Sequence, residues 1–271
     1  MTKIPFAQID AFASKAFEGN QACVMPLDKF LPDATLQAIA AENNVAETAF
    51  IVADGEARWQ LRWFTPAVEV DLCGHATLAT GHVLFEHLGF SGECVRFLSR
   101  SGELAITREG DRLVLDFPSA PLSRVDPASE IETQLFGALG ARPDEVYRVP
   151  EGVLDGSLAV FANEEDVRCL TPDFAALKRI GAGLAIVTAP GENVDFVSRF
   201  FAPGVGIDED PVTGAAHCAL APYWAERLNR NELHARQISA RGGDVHCVVK
   251  GERVLLGGRA VTYLQGTIEI D

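Results

Sequence analysis

The strongest constraint on this chain is that it nearly repeats itself. Residues 62–73 can be laid over residues 199–210 without a gap, at an offset of 137. Arg62, Phe64, Pro66, Val68 and Asp71 then meet Arg199, Phe201, Pro203, Val205 and Asp208. Each copy runs from a strand-like stretch through a turn into small residues that can open a helix, so one structural unit is expected twice. In this register Cys73 lies opposite Asp210. Two proton-transferring groups, one from each half, suit a reaction in which a carbon-bound proton leaves one place and returns at another.

Composition limits what the repeat can be. With 271 residues and 48% apolar content, the chain can bury one large core or two ordinary ones, and the repeat favours two. Lys and Arg number 23 against 38 Asp and Glu, a net charge of −15 that repels phosphate backbones and anionic membrane surfaces. Neither nucleic acid nor membrane is expected as a partner. An acidic small molecule can still bind where backbone amides at a helix start supply positive potential. The cysteines, at 23, 73, 94, 169, 218 and 247, form no CxxC pair and read as reduced thiols of a cytoplasmic protein. Residues 1–6 enter a strand-like run without the apolar core of a signal peptide, and no stretch is long and apolar enough to span a bilayer.

Along the chain, residues 4–12 and 22–25 read as a hairpin around Gly19, and Leu31-Pro32-Asp33 starts a helix that ends at Asn43-Asn44. Residues 48–52 and 59–64 are strands, and a helix follows Gly74 to a stop at Gly89. Residues 96–106 and 112–117 add antiparallel strands. Three prolines within 117–127 mark the domain boundary. In the second half, Leu170-Thr171-Pro172-Asp173 opens a helix running to Ile180, 184–188 is a strand, and 245–249 and 254–270 are strands with turns at Gly251, Gly257-Gly258 and Gly266. The expected fold is α+β, with two pseudo-symmetric halves, 1–118 and 119–271, each a curved, mainly antiparallel sheet around an apolar central helix. The last strand is allowed to return to the first half.

Cys73-Gly74-His75-Ala76-Thr77 and Asp210-Pro211-Val212-Thr213-Gly214 both sit where a strand turns into a helix. Exposed amides at such a start bind a carboxylate and lower the pKa of an adjacent thiol. Taken singly, Cys73 is equally readable as a buried thiol without function, His75 as a hydrogen-bonded structural histidine, and Asp210 as a helix cap before proline. The crowding of Asp208, Glu209 and Asp210 favours a raised carboxylate pKa, while Asp71 and Asp208 read as structural. Glu47 is different. It opens a strand among small and apolar neighbours, and aligning Phe50-Ile51 with Ile186-Val187 puts Gly183 opposite it, so only one half carries this acid. Cys73/His75 and His217/Cys218 lack a second pair at zinc-finger spacing, so no metal is expected, and no glycine-rich nucleotide loop occurs.

Ile9-Asp10-Ala11-Phe12 with Gly19-Asn20, Ala46-Glu47-Thr48-Ala49-Phe50, Phe64-Thr65-Pro66, Cys73-Gly74-His75-Ala76-Thr77 and Glu209-Asp210-Pro211-Val212-Thr213-Gly214 together resemble the PhzF-like (phenazine biosynthesis protein) family over the whole chain. The resemblance implies a diaminopimelate epimerase-like fold, a homodimer, no cofactor and a cleft between two similar halves. In the phenazine-making member the glutamate matching Glu47 shuttles a proton during an isomerisation, and the residues matching His75 and Asp210 line the site. That enzyme has a small non-thiol residue where Cys73 stands. Cys73 instead resembles the first catalytic cysteine of diaminopimelate epimerase, whose second cysteine matches Asp210, so that enzyme's two-thiol chemistry does not carry over. The expectation is therefore a cofactor-independent proton-shift isomerase of a small carboxylated substrate, with Glu47 as acid/base and His75 and Asp210 assisting. Asn20 and the helix starts at Gly74, Ala76, Thr77, Thr213, Gly214 and Ala215 would hold the substrate carboxylate. The alternatives are an amino-acid epimerase using Cys73 and Asp210, and a binding protein without turnover.

Overall fold

In a computed structural model, which describes residues 1–127, 129–150 and 154–270, the chain divides into two compact units. The first comprises Met1–Asp116 and Gly257–Asp271, the second Phe117–Leu256.

The first unit opens with β1 (Thr2–Ala11) and β2 (Asn20–Leu27), an antiparallel pair. Their connection turns tightly at Gly19, whose φ of +66° and 2.1 Å spacing from the Ala11 carbonyl oxygen to where a Cβ would stand admit only glycine. α1 (Asp33–Asn43) buries Leu36, Ile39 and Ala40 against Ile4, Met25, Phe50 and Phe64, and stops where Asn44 adopts the left-handed conformation. β3 (Glu47–Ala53) runs parallel to β2, and β4 (Arg58–Phe64) returns antiparallel to β3. After the short β5 (Glu69–Val70), α2 (Gly74–Glu86) packs on β1, β2 and β3. Ten of its thirteen residues are buried. Its buried hydroxyls are satisfied inside the helix, Thr77 Oγ1 donating to the Cys73 carbonyl (2.5 Å) and Thr80 Oγ1 to that of Ala76 (2.7 Å). β6 (Cys94–Ser99) lies parallel to β4, and β7 (Gly102–Glu109) and β8 (Arg112–Pro118) continue antiparallel.

The second unit contains β9 (Ser123–Arg124), α3 (Glu130–Leu139), β10 (Glu145–Val149), β11 (Gly156–Val160), α4 (Glu164–Arg168), α5 (Phe174–Leu177), β12 (Ala185–Pro190), β13 (Phe196–Ala202), β14 (Ile207–Asp210), α6 (Gly214–Leu228), β15 (Glu232–Gln237), β16 (Gly243–Lys250) and the first four residues of β17 (Arg253–Gly258). Its core gathers Leu135 and Leu139 of α3, Val146, Val187, Val197 and Phe201. The final strand, β18 (Ala260–Ile270), pairs antiparallel with β1 of the first unit. Among the described residues no helix is long and apolar enough to cross a membrane.

The two units share one strand plan. β1, β2, β3, β4, β6 and β7 pair in the order antiparallel, parallel, antiparallel, parallel, antiparallel, and so do β10, β11, β12, β13, β15 and β16. The fold is α+β, as expected. Two local expectations fail. The helix expected over 173–180 is only Phe174–Leu177, because Arg179 and Ile180 close i−3 bonds to Ala176 and Leu177 and Gly181 and Gly183 then take positive φ. Gly266 makes no turn; it pairs with Phe6 inside β18.

The register of the repeat also needs correcting. Glu69 sits across from Phe64 and binds Arg62 with both oxygens (2.7 and 2.8 Å), and Glu209 sits across from Phe201 and binds Arg199 in the same way (2.8 and 2.9 Å). Glu69 therefore corresponds to Glu209, and the helix starts Gly74 and Gly214 correspond as well, both at an offset of 140. The three extra residues form the 3₁₀ turn Pro203–Val205, which a gapless overlay hides. Cys73 corresponds to Thr213, the residue preceding α6, and Asp210 to Val70. Upstream, Phe50 faces Arg62 and Val187 faces Arg199, so Glu47 corresponds to Leu184 rather than Gly183.

At the corrected register Thr77 corresponds to His217, and the two do the same work: His217 Nδ1 meets the Thr213 carbonyl at 2.8 Å, as Thr77 Oγ1 meets that of Cys73. Nδ1–H donates, and Nε2 is buried without a partner. Burial pushes the His217 pKa down to about 4, against the smaller pull of its bond to Thr213. Above pH 6.5 the neutral ring costs nothing. Between 6.5 and about 4 the unfolded chain binds a proton that the folded one refuses, so stability falls as pH falls. Replacing His217→Gln, which keeps a donor for Thr213, is expected to spare about 2 kcal/mol of that acid loss between pH 7 and pH 4.5. Urea unfolding at pH 7 and pH 4.5 checks it; equal acid loss in both proteins contradicts it.

Candidate active site

Three elements of the first unit bring their starting residues together. Asn20 begins β2, Glu47 begins β3, and Cys73 precedes α2, in which His75 is the second residue. The parallel pairing of Ala22 with Glu47 aligns the two strand starts. His75 Nε2 lies 2.9 Å from Glu47 Oε2, and its Nδ1 lies 3.2 Å from Asn20 Nδ2 and 3.6 Å from Cys73 Sγ. Cys73 and His75 are buried, and the Glu47 side chain is 14% exposed. With the proton on Nε2, which meets Glu47 as an ion-pair contact, Nδ1 of the neutral ring accepts from the Asn20 amide; on protonation the amide must turn its oxygen to Nδ1.

Burial by itself favours the neutral ring, but the negative charge of Cys73 when ionised, and after it that of Glu47, outweigh it. The His75 imidazolium therefore persists well above 6.5. Burial, reinforced by Glu47, pushes the Cys73 thiol up despite the neighbouring His75. The carboxyl group of Glu47 and a ring whose charged form is favoured thus stand in contact, beside a thiol whose pKa burial raises. Such a pair can take a proton at one atom and give it back at another.

No side chain caps α2, leaving the Gly74 and His75 amides at its mouth, while the Ala76 amide reaches toward the Cys73 sulfur. Thr77 offers nothing outward, since its N–H and its hydroxyl both go to the Cys73 carbonyl.

In the second unit, Asp210 ends β14 and its Oδ2 accepts from Thr213 Oγ1 at 2.5 Å. Gln237, fully buried, accepts from the Thr213 N–H (2.9 Å) and donates to the Asp210 carbonyl (2.7 Å), clamping the turn from both sides. Ser239 adds a bond to the Pro211 carbonyl (2.7 Å). Both Thr213 donors are thereby used, and Gly214 and Ala215 provide the remaining first-turn amides. Of the acidic neighbours of Asp210, Glu209 is taken up by Arg199 and Asp208 is exposed. Sequence reasoning missed Gln237, and weighed His217 only as half of a metal pair with Cys218. The signal for Gln237 was present: it continues the inward alternation of Leu233 and Ala235 along β15, a polar residue at a core position.

Comparison with known proteins agrees with this architecture. The phenazine biosynthesis-like protein family matches residues 9–266. An uncharacterized isomerase from Pseudomonas aeruginosa is 53% identical, over 99% of each chain, and a second from the same organism is 50% identical over 97% of this chain and 98% of its own. The crystal structure of a PhzF-family phenazine biosynthesis protein from Enterococcus faecalis superposes with a TM-score of 0.93 at 45% identity, covering 99% of this chain and all of that one. At the level of fold alone, a hydroxyproline epimerase from Agrobacterium vitis superposes with a TM-score of 0.59 at 12% identity, over 98% of this chain and 92% of that one. The chain therefore belongs to the phenazine biosynthesis-like (PhzF) family, with its diaminopimelate epimerase-like fold, and is an isomerase.

Proposed function

We propose that this isomerase moves a proton between two carbons of a small carboxylated substrate without a cofactor, with Glu47 as general acid/base and His75 as its proton partner. The observation that carries the reading is the buried 2.9 Å contact between Glu47 Oε2 and His75 Nε2. In the forward step the Glu47 carboxylate takes a C–H proton, and the electron pair moves into the substrate's conjugated system. Imidazolium charge at His75 stabilises the negative charge that accumulates, and the proton returns at the distal carbon, so the reaction is redox-neutral. The first-turn amides of α2 bind the substrate carboxylate. Asp210 is an assisting acid, its carboxylate set by Thr213.

An epimerase needs an acid/base group for each face of the substrate. The corrected register weakens that reading, because the residue corresponding to Cys73 is a threonine whose hydroxyl is a far weaker base than a thiolate. The test follows exchange of a ligand C–H proton with D₂O, using small acids that the protein retains. Glu47→Gln keeps the shape and removes proton transfer, and is expected to cost roughly 10²–10⁴ in exchange rate. Cys73→Ala is expected to cost less than about tenfold. Undiminished exchange in Glu47→Gln sinks the assignment. Crippled Cys73→Ala and Asp210→Asn beside a mild Glu47→Gln would establish the epimerase instead.

A further inference from the structure

Glu47, Cys73 and His75 present one oxygen, one sulfur and one nitrogen donor, all within 4.8 Å of one another. We propose that this cluster captures a single zinc ion, and that zinc thereby shuts the enzyme off reversibly. No other Cys, His, Asp or Glu residues among the described ones gather three donors so closely.

The geometry is close to what the ion requires. Zinc bonds of about 2.0 Å to nitrogen and oxygen and about 2.3 Å to sulfur, set tetrahedrally, put neighbouring donors roughly 3.3–3.6 Å apart. His75 Nε2 stands 2.9 Å from Glu47 Oε2 and 4.0 Å from Cys73 Sγ, on either side of that range. A turn of the imidazole and movements of about half an ångström bring both into it. Asn20 stands against Nδ1, its amide nitrogen at 3.2 Å, and turning that amide to present its oxygen lets it accept the Nδ1–H of a histidine ligating through Nε2. Thiolate, imidazole and carboxylate together favour zinc over magnesium or calcium. On capture the Cys73 thiol proton and the proton on Nε2 leave to solvent as the metal bonds form, and nothing is oxidised.

Three protein ligands leave a fourth position for water or for a substrate carboxylate. The ion occupies Oε2 of Glu47 and Nε2 of His75, the atoms assigned above to proton transfer, and so blocks it. The inhibition rests on that assignment; the capture does not. Cys73 is what makes the cluster thiophilic, since without its sulfur only a histidine and a carboxylate remain.

The test titrates the metal-free full chain with Zn²⁺ and, as a spectroscopic stand-in, Co²⁺. One ion per chain is expected, removable by EDTA, with a thiolate-to-cobalt charge-transfer band and tetrahedral d–d absorption. Zn²⁺ should slow alkylation of Cys73, followed by mass spectrometry on the unmutated protein, at least tenfold. Cys73→Ser should abolish the cobalt band and weaken Zn²⁺ binding at least tenfold. The competing surface group is His234 and His246, opposite each other on β15 and β16 near Glu232 and Asp244, and His234→Ala with His246→Ala should change nothing. Binding lost in that double variant, or Cys73 alkylation indifferent to Zn²⁺, overturns the proposal. Capture confirmed with C–H exchange undisturbed by Zn²⁺ would leave the site standing and refute the catalytic assignment of its ligands.

Discussion

A carboxylate and an imidazole placed together out of water must pair, because either one alone would bear the desolvation cost of its charge. Glu47 and His75 meet that requirement, and much of the first unit follows from it. β3 has to begin at Glu47, α2 has to begin one residue before His75, and β2 has to start at Asn20 so that an amide can meet the other ring nitrogen. The parallel β2–β3 pairing and the Gly19 turn are what bring these three starts to one place. Because the pair is held by its neighbours rather than by solvent, its proton is available to a bound molecule instead of to bulk water.

The second unit builds the same frame and equips it differently. Arg62 with Glu69 and Arg199 with Glu209 lock the strand-to-helix turn in both, and each guanidinium also lies over a phenylalanine, Phe64 or Phe201, at 5.2 and 4.8 Å. From that shared turn the first unit delivers Cys73 and His75, and the second delivers Thr213 and Ala215. The acid of the second unit, Asp210, comes instead from a strand position where the first carries Val70. Duplication therefore supplied two helix starts, and acid/base chemistry was placed asymmetrically upon them.

Much of this was legible before the structure. Glu47 stands out because small and apolar residues surround an acid at a strand start, and the central helices read directly from their apolar content. The letters misled where two periodicities coincide. Val205 and Asp208 fall under Val68 and Asp71 by accident, and a compact 3₁₀ turn absorbs the three residues that restore register. The helix ending at Leu177 was overextended because its i−3 tightening depends on Gly181 and Gly183 being left-handed, which composition does not announce. Residues 130–149 carry little local signal. α3, β10 and β11 are short, and α3 is recognisable chiefly by its cap, Ser129 accepting from the Glu132 N–H. Pairings across long sequence separations, such as Asn20 with His75, had no local signal.

The central claim is that the charge of Glu47 favours the imidazolium form of His75. Its most direct measurement is the ¹⁵N NMR titration of the His75 ring in the native chain and in Glu47→Gln. The account predicts a native ring still doubly protonated well above pH 6.5, with its midpoint falling markedly once the carboxylate is removed. A His75 that titrates at the same pH in both proteins would contradict it.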